Sequence, residues 1–266
     1  MNTWHWQTWQ TLPYLTCALL EDFPHGFFTQ QFWARAPGEL VQILEPTAQV
    51  YRVKQVHGNV VLSPSELEKP PSRDESSLSD LSEADGLVTE QKSQAVWACS
   101  ADCTPVLIAD MATGTVAAVH AGWRGTAAEI VPRAIDRLIT QGSQLANLRI
   151  ALGPAIAGEV YQVSTTVAAQ VTASLFPKAG TETEAILAAA QQIPQSPILP
   201  DPQPGRVRLD VRRVNALQLE RVGIRAEQVS IAPYCTYQTP EYFFSYRRDR
   251  QKKVQWSGIV SQNWGS

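Results

Sequence analysis

Short apolar runs, each closed by a turn signal, dominate the middle of the chain. QAVWACS (94–100), TPVLIAD (104–110) and TVAAVHA (115–121) are rich in Val, Ile and Ala and predict buried strands. MATGT (111–115) lies between the last two and predicts a hairpin with Gly114 at the turn. The period then changes. Beyond GWRG, Ala127, Ile130, Val131, Ala134, Ile135, Leu138 and Ile139 follow helical spacing and predict an amphipathic helix over about 125–140. Pro132 fits that helix only near its first turn or as a kink. LRIALGP (148–154) reads as another buried strand, 164–175 and 210–222 as helices, and QVSIAP (228–233) as a late strand. His5, in the Trp-rich start WHWQTW, reads as part of an edge strand. Strands and helices mixed in this order predict an α/β (α+β) sandwich, with mixed sheets and flanking helices.

Two segments interrupt the pattern. Residues 63–84 are rich in Ser, Pro and charge and predict a solvated loop insertion. Residues 193–206 hold five prolines, which break a helix or a central strand, and read as a second loop. Neither divides two cores, and a single domain over 1–266 is expected.

Composition narrows the function classes. A net charge of -3 gives no general pull toward nucleic acid or anionic membrane. No apolar run approaches the ~20 residues of a membrane span. The start of the chain lacks the basic-then-apolar pattern of a signal peptide, so a cytoplasmic location is expected. In that compartment Cys17, Cys99, Cys103 and Cys235 are expected as buried, catalytic or metal-binding thiols rather than disulfides.

Three residues carry candidate chemistry. His57 (KQVHGN), Cys103 (SADCTP) and His120 (AVHAGWRG) all fall at predicted strand ends, where polar side chains can converge on a cleft. Imidazole and thiolate both suit Zn²⁺, and three protein ligands leave a fourth position open, as in catalytic sites. The spacing matches no compact zinc motif. A metal-free nucleophile–base pair of Cys103 and His120 therefore stands beside it on these residues alone.

Local sequences extend the reading. QVHG (55–58), ADGLVT (84–89), SADCTPVLIAD (100–110), VHAGWRG (119–125), LGPAI (152–156) and FFSYRR (243–248) resemble, in order, the signature segments of the YfiH/YlmD-like laccase-domain family. That family is also called multicopper polyphenol oxidase and peptidoglycan editing factor. The resemblance runs from about residue 50 to the C-terminus. It implies the family's single-domain sandwich, and metal ligands at His57, Cys103 and His120. The activity it implies is phosphorolysis of adenosine, inosine, guanosine and methylthioadenosine to free base and a ribose 1-phosphate, with adenosine deamination. Zinc is the expected ion and copper the alternative. A multicopper oxidase is disfavoured, because the chain has four His and no His-x-His pair. The chain departs from the family pattern near residue 30: HGFFTQQFW (25–33) has Gln30 where members carry Arg, and lacks their Gly-Gly.

Other residues divide between site and scaffold. Arg124, at a predicted helix start, reads either as an anion contact or as an arginine fixed by a core carboxylate. Gly122 and Gly125 permit a tight turn or close approach to a ligand. Asp102 reads as an acid/base, as a carboxylate orienting a ligand histidine, or as a turn cap. Arg247 and Arg248 are phosphate-contact candidates, with surface charge as the bland reading. Tyr242, Phe243 and Phe244 read as purine-pocket walls or as packing. Trp123 and Cys99 are expected to pack, and Asp85 to serve a turn. Cys235 is expected to line the cleft without being a ligand, and His25 is a further candidate. The resulting expectation is a zinc-dependent purine nucleoside phosphorylase and adenosine deaminase whose partners are purine nucleosides and phosphate, not nucleic acid or membrane. The alternatives are a metal-free Cys/His amidase-type hydrolase acting on cell-wall precursors and, given Gln30, a non-catalytic binding protein.

Overall fold

A computed structural model describes residues 3–68 and 81–262. Among the described residues, fifteen strands are interspersed with helices. The strands are β1 (Trp4–Trp9), β2 (Leu12–Cys17), β3 (His25–Phe28), β4 (Gln49–Tyr51), β5 (Val61–Leu62), β6 (Gly86–Val88), β7 (Gln94–Ser100), β8 (Thr104–Asp110), β9 (Val116–Ala121), β10 (Leu148–Leu152), β11 (Gln162–Ser164), β12 (Ile198–Pro200), β13 (Arg206–Leu209), β14 (Val229–Ile231) and β15 (Gln255–Val260). The α-helices are α1 (Pro37–Leu44), α2 (Trp123–Ala127), α3 (Ile130–Thr140), α4 (Thr165–Thr172), α5 (Thr183–Gln192), α6 (Val211–Arg221) and α7 (Tyr246–Asp249). No helix among the described residues is long and apolar enough to cross a membrane.

Two six-stranded mixed sheets form the centre, in the orders β1-β2-β3-β15-β7-β4 and β14-β10-β8-β9-β6-β5. Their facing surfaces interdigitate: Leu15, Phe27, Val96, Ala98 and Ile259 of the first sheet meet Leu107, Ala109, Val116, Ala118 and Ala151 of the second. The outer face of the second sheet (Val106, Ile108, Val119) is covered by Ile130, Val131, Ala134, Ile135 and Leu138 of α3. The outer face of the first sheet is covered by Leu40 and Val41 of α1. The result is an α/β/β/α sandwich. It explains why β8 reads as an unbroken apolar run: all seven of its residues are buried, because both its faces are covered. A three-stranded sheet, β11-β13-β12, packs with α4 and α5 into a satellite core.

Most sequence expectations hold, with informative differences. The β8–β9 hairpin forms, and Gly114 takes the positive φ (75°) that its turn needs. The helix expected over 125–140 is instead two: α2 ends, Glu129 turns at φ 57°, and α3 starts at Ile130. Pro132 thereby falls in the first turn of α3, where its missing N–H has no intrahelical acceptor to lose. The proline-rich loop 193–206 contains the short strand β12, tolerated because it lies at a sheet edge. Within the insertion at 63–84, Glu66 pairs with Arg137 of α3, and residues 82–84 rejoin the chain by backbone bonds to Lys54. Residues 69–80 of that insertion lie outside the described residues.

Candidate metal centre

Strand alternation aims His120. Ala117, Val119 and Ala121 of β9 face the helices, so Ala118 and His120 point the other way, into the space between the sheets. Cys103 sits in the turn joining β7 to β8. His57 lies in the loop between β4 and β5, at φ 61°. These three positions, far apart in sequence, bring two imidazoles and one thiol together, with all ligand atoms within 4.8 Å of one another. The two imidazole rings stand edge-to-face at 4.8 Å. His120 is buried, Cys103 half-buried and His57 exposed, so the cluster opens to solvent on the His57 side.

The donor set fits zinc. Ligands of a tetrahedral zinc lie roughly 3.3–3.6 Å from one another, and the observed spread needs only modest side-chain adjustment. Gly122 leaves room for it: a Cβ there would sit 2.9 Å from Cys103 Sγ and 3.3 Å from His57 Cδ2. Gly125 brings α2 against the His57 loop, since a Cβ there would lie 2.8 Å from the Gly58 carbonyl oxygen. Both glycines therefore allow close approach between segments of the chain.

Asp85 is the residue the sequence reading missed. Expected to serve a turn, it is buried, and its carboxylate accepts from His120 Nδ1–H (2.8 Å) and from the backbone N–H groups of Val56, His57 and Gly58. Burial pushes its carboxyl up, but His120 and these N–H groups outweigh that and hold it below its ordinary value. The Nδ1–H bond leaves His120 Nε2 as the ligand atom. Among the described residues no other metal-ligand cluster of His, Cys and carboxylates is found.

Electrostatics couple Cys103 to its neighbours. Burial opposes the thiolate, but the facing His120 and His57 imidazoles prevail and lower the thiol's pKa. His120 is raised in turn: burial works against its charged form, and Cys103 and Asp85 overcome it. In the metal-free protein both shifts favour a thiolate–imidazolium pair.

Asp102 lies next to Cys103 at φ 89°, but its carboxylate does not orient a ligand histidine. It accepts from Thr236 Oγ1–H and from the Arg247 backbone N–H, each at 2.7 Å, and so ties the Cys103 turn to α7. The Arg247 side chain stacks over Tyr161 (4.7 Å) and donates to the Gln162 carbonyl. Arg124 stacks over Trp123 at 4.4 Å and is exposed, with no carboxylate partner among the described residues. That removes the reading of Arg124 as fixed by a core acid. Tyr161, not singled out from the sequence, sits amid these groups. Burial, then the Cys103 charge, push its phenol up to about 12, while Arg247 and Arg124 pull the other way. A lone tyrosine in VYQVS carries no motif that would have revealed it.

The remaining candidates go to the scaffold. Arg248 is neither a phosphate contact nor loose surface charge: it donates to the carbonyls of Thr236, Tyr237 and Phe243. Tyr242 and Phe243 pack with Trp6, and Phe244 with Trp33. Cys235 Sγ accepts from the Ala157 N–H. His25 is buried, its Nε2 accepting from the Cys17 N–H and its Nδ1 donating to the Phe23 carbonyl. Cys99 is half-buried, and burial pushes its thiol up to about 12. Gln30, at the family departure, donates to the Pro240 carbonyl.

A two-sheet sandwich with an open His-Cys-His centre is the class of protein these features define. Its fold is that of YlmD from Geobacillus stearothermophilus (TM-score 0.75, 23% identity, covering 97% of this chain and 99% of that one). YfiH from Bacillus licheniformis is similar (TM-score 0.73, 24% identity, covering 94% and 96%). Residues 36–261 match the family model described as multi-copper polyphenol oxidoreductase laccase, and the chain belongs to that YfiH/YlmD-like family. A relative from Synechocystis, named a purine nucleoside phosphorylase, is 50% identical over 262 residues, 98% of each chain. A Mycobacterium tuberculosis relative with the same functional name is 34% identical over 204 residues, covering 77% of this chain and 69% of that one.

Proposed function

We propose that this protein is a zinc-dependent purine nucleoside phosphorylase with adenosine deaminase activity. The observation that carries the reading is the convergence of His57, Cys103 and His120 within 4.8 Å, open to solvent. The name of a relative similar over nearly the whole chain supports the substrate class. His57, Cys103 and His120 would hold the zinc, which when bound would supply Lewis acidity. In phosphorolysis, a phosphate oxygen bonds to the ribose anomeric carbon as the bond to the purine nitrogen breaks, and the base leaves with a proton. Arg124 and Arg247 are the cations that hold the phosphate, with Arg247 positioned by Asp102 and by the Tyr161 ring. In deamination, water adds to the purine ring and ammonia leaves. Gly122 keeps the backbone low beside the ligand side chains, and Gly125 lets α2 pack on the His57 loop. The site is cytoplasmic in this reading, and the chain works as one domain.

The shifts of Cys103 and His120 favour one second reading, a metal-free cysteine amidase acting on cell-wall precursors, in which Cys103 forms a thioester as the amide C–N bond breaks, His120 protonates the departing amine, and water then hydrolyses the thioester. One experiment separates the two. Purified protein is analysed for metal and incubated with adenosine, with and without phosphate, beside Cys103→Ala and His57→Ala. Stoichiometric zinc lost in His57→Ala, with adenine released only when phosphate is present and inosine formed without it, supports the first. Copper in place of zinc revises the ion alone. Metal-free protein that cleaves amides and is insensitive to His57→Ala supports the second. No turnover above the Cys103→Ala background leaves a binding protein.

A further inference from the structure

Two imidazole ligands share one anion. Asp85 Oδ1 accepts from His120 Nδ1–H at 2.8 Å and from the His57 backbone N–H at 2.9 Å. Its Oδ2 accepts from the N–H groups of Gly58 (2.6 Å) and Val56 (3.2 Å). Three consecutive backbone N–H groups thus close on one carboxylate, a nest of the kind that binds anions. The nest holds His57 at φ 61°, a left-handed conformation that residues with a side chain seldom adopt. Asp85 is itself fixed, since its carbonyl accepts from the His120 N–H (2.8 Å) where β6 meets β9. At 1% exposure, its charge is held by these donors rather than by water.

We infer that Asp85 is the positioning residue of the metal centre: one carboxylate fixes the His120 tautomer and cages the His57 turn, delivering both imidazoles to a single ion. The inference rests on the metal-binding reading above. It explains how a ligand on an exposed loop is held in a fixed orientation. It also predicts that an amide does not substitute for the acid. In Asp85→Asn one oxygen still accepts, but the NH₂ group faces either the Gly58 and Val56 N–H groups or the pair formed by His120 Nδ1–H and the His57 N–H. Either orientation sets donors against donors.

The test compares wild type with Asp85→Asn, measuring zinc affinity by competition with a chelating dye, and thermal melting with and without zinc. The expected result is zinc affinity 10–100-fold weaker, with a larger loss of melting temperature in the zinc-loaded than in the metal-free protein. Wild-type zinc affinity in Asp85→Asn overturns the inference and leaves the metal reading standing. An equal drop in both melting temperatures with affinity unchanged marks a purely structural role and also overturns it. A wild-type protein that takes up no zinc overturns the metal reading, and this inference with it. Should Asp85→Asn fail to fold, nitrogen-15 imidazole spectra of zinc-loaded wild type decide. A proton on His120 Nδ1 with zinc on Nε2 supports the inference, and zinc on Nδ1 defeats it.

Discussion

Gly122→Ala isolates the metal centre from the rest of the fold. Gly122 has φ -74° and ψ 169°, a backbone conformation open to alanine, so the substitution introduces no backbone strain. What it introduces is a methyl group 2.9 Å from Cys103 Sγ, 3.3 Å from His57 Cδ2 and 3.7 Å from His120 Cε1. Comfortable contact between non-bonded heavy atoms begins at about 3.5 Å, so the thiolate must retreat by roughly half an ångström or more. In the metal-free protein it has somewhere to go, because His57 is exposed and its ring can swing outward. With the ion bound, sulfur and both imidazoles are fixed, and the overlap is paid in full. Overpacking of this kind costs about 1–3 kcal/mol, which corresponds to zinc affinity about 5- to 150-fold weaker. The assay is chelator competition at fixed pH, with thermal melts of the metal-free protein as the control. Zinc affinity should fall while the metal-free melting temperature stays within a few degrees of wild type. Unchanged zinc affinity in a folded Gly122→Ala protein would refute the placement of the ion beside this glycine.

Three further outcomes are expected. Replacing Arg248 by Ala strips donors from the Thr236, Tyr237 and Phe243 carbonyls and should lower stability by about 2–3 kcal/mol, whereas Arg247→Ala should chiefly raise the KM for phosphate; urea denaturation and initial rates distinguish them, and reversed effects would contradict the assignment. Burial lowers His25 to about 4 from its ordinary value near 6.5. Because the unfolded chain takes up that proton first, stability is full above about pH 6.5 and is lost as pH falls toward 4, by about 2 kcal/mol at pH 5. Urea midpoints at pH 7 and pH 5 should therefore diverge less in His25→Gln than in wild type, and equal divergence would count against a neutral buried His25. In metal-free protein at pH 7.5, iodoacetamide should label Cys103 ahead of Cys17 and Cys99, whose thiols burial pushes up, and zinc should protect Cys103; labelling that sets in only near the ordinary thiol pKa of about 8.5 would remove the thiolate–imidazolium pair.

Local patterns made much of this protein legible. Runs buried on both faces, such as β8, announce themselves because every position is apolar. The hairpin at Gly114 is visible because one residue must take positive φ. Pro132 warned of a break in the helix but not of its position, which depends on Glu129 turning between α2 and α3. His57, Cys103 and His120 stood out because each lies in a short, distinctive segment. Asp85 did not, because Ala-Asp-Gly is also what an ordinary turn looks like. The adjacent arginines 247 and 248 read alike, yet one stacks beside the centre and the other grips three carbonyls.

The amino-acid order by itself determined the central strands β7, β8, β9, β10 and β14 and the helices α4 and α6, that such elements would sandwich, and which side chains had the chemistry to hold an ion. Those properties follow from hydrophobic period, turn preference and ligand type, each written within a few neighbouring residues. Tertiary structure alone decided that two imidazoles and a thiol share one pocket, that Asp85 rather than Asp102 backs His120, and that Tyr161 stands among the charges beside Cys103. These depend on strand pairing and sheet stacking, which join residues dozens of positions apart by distances that no local pattern encodes.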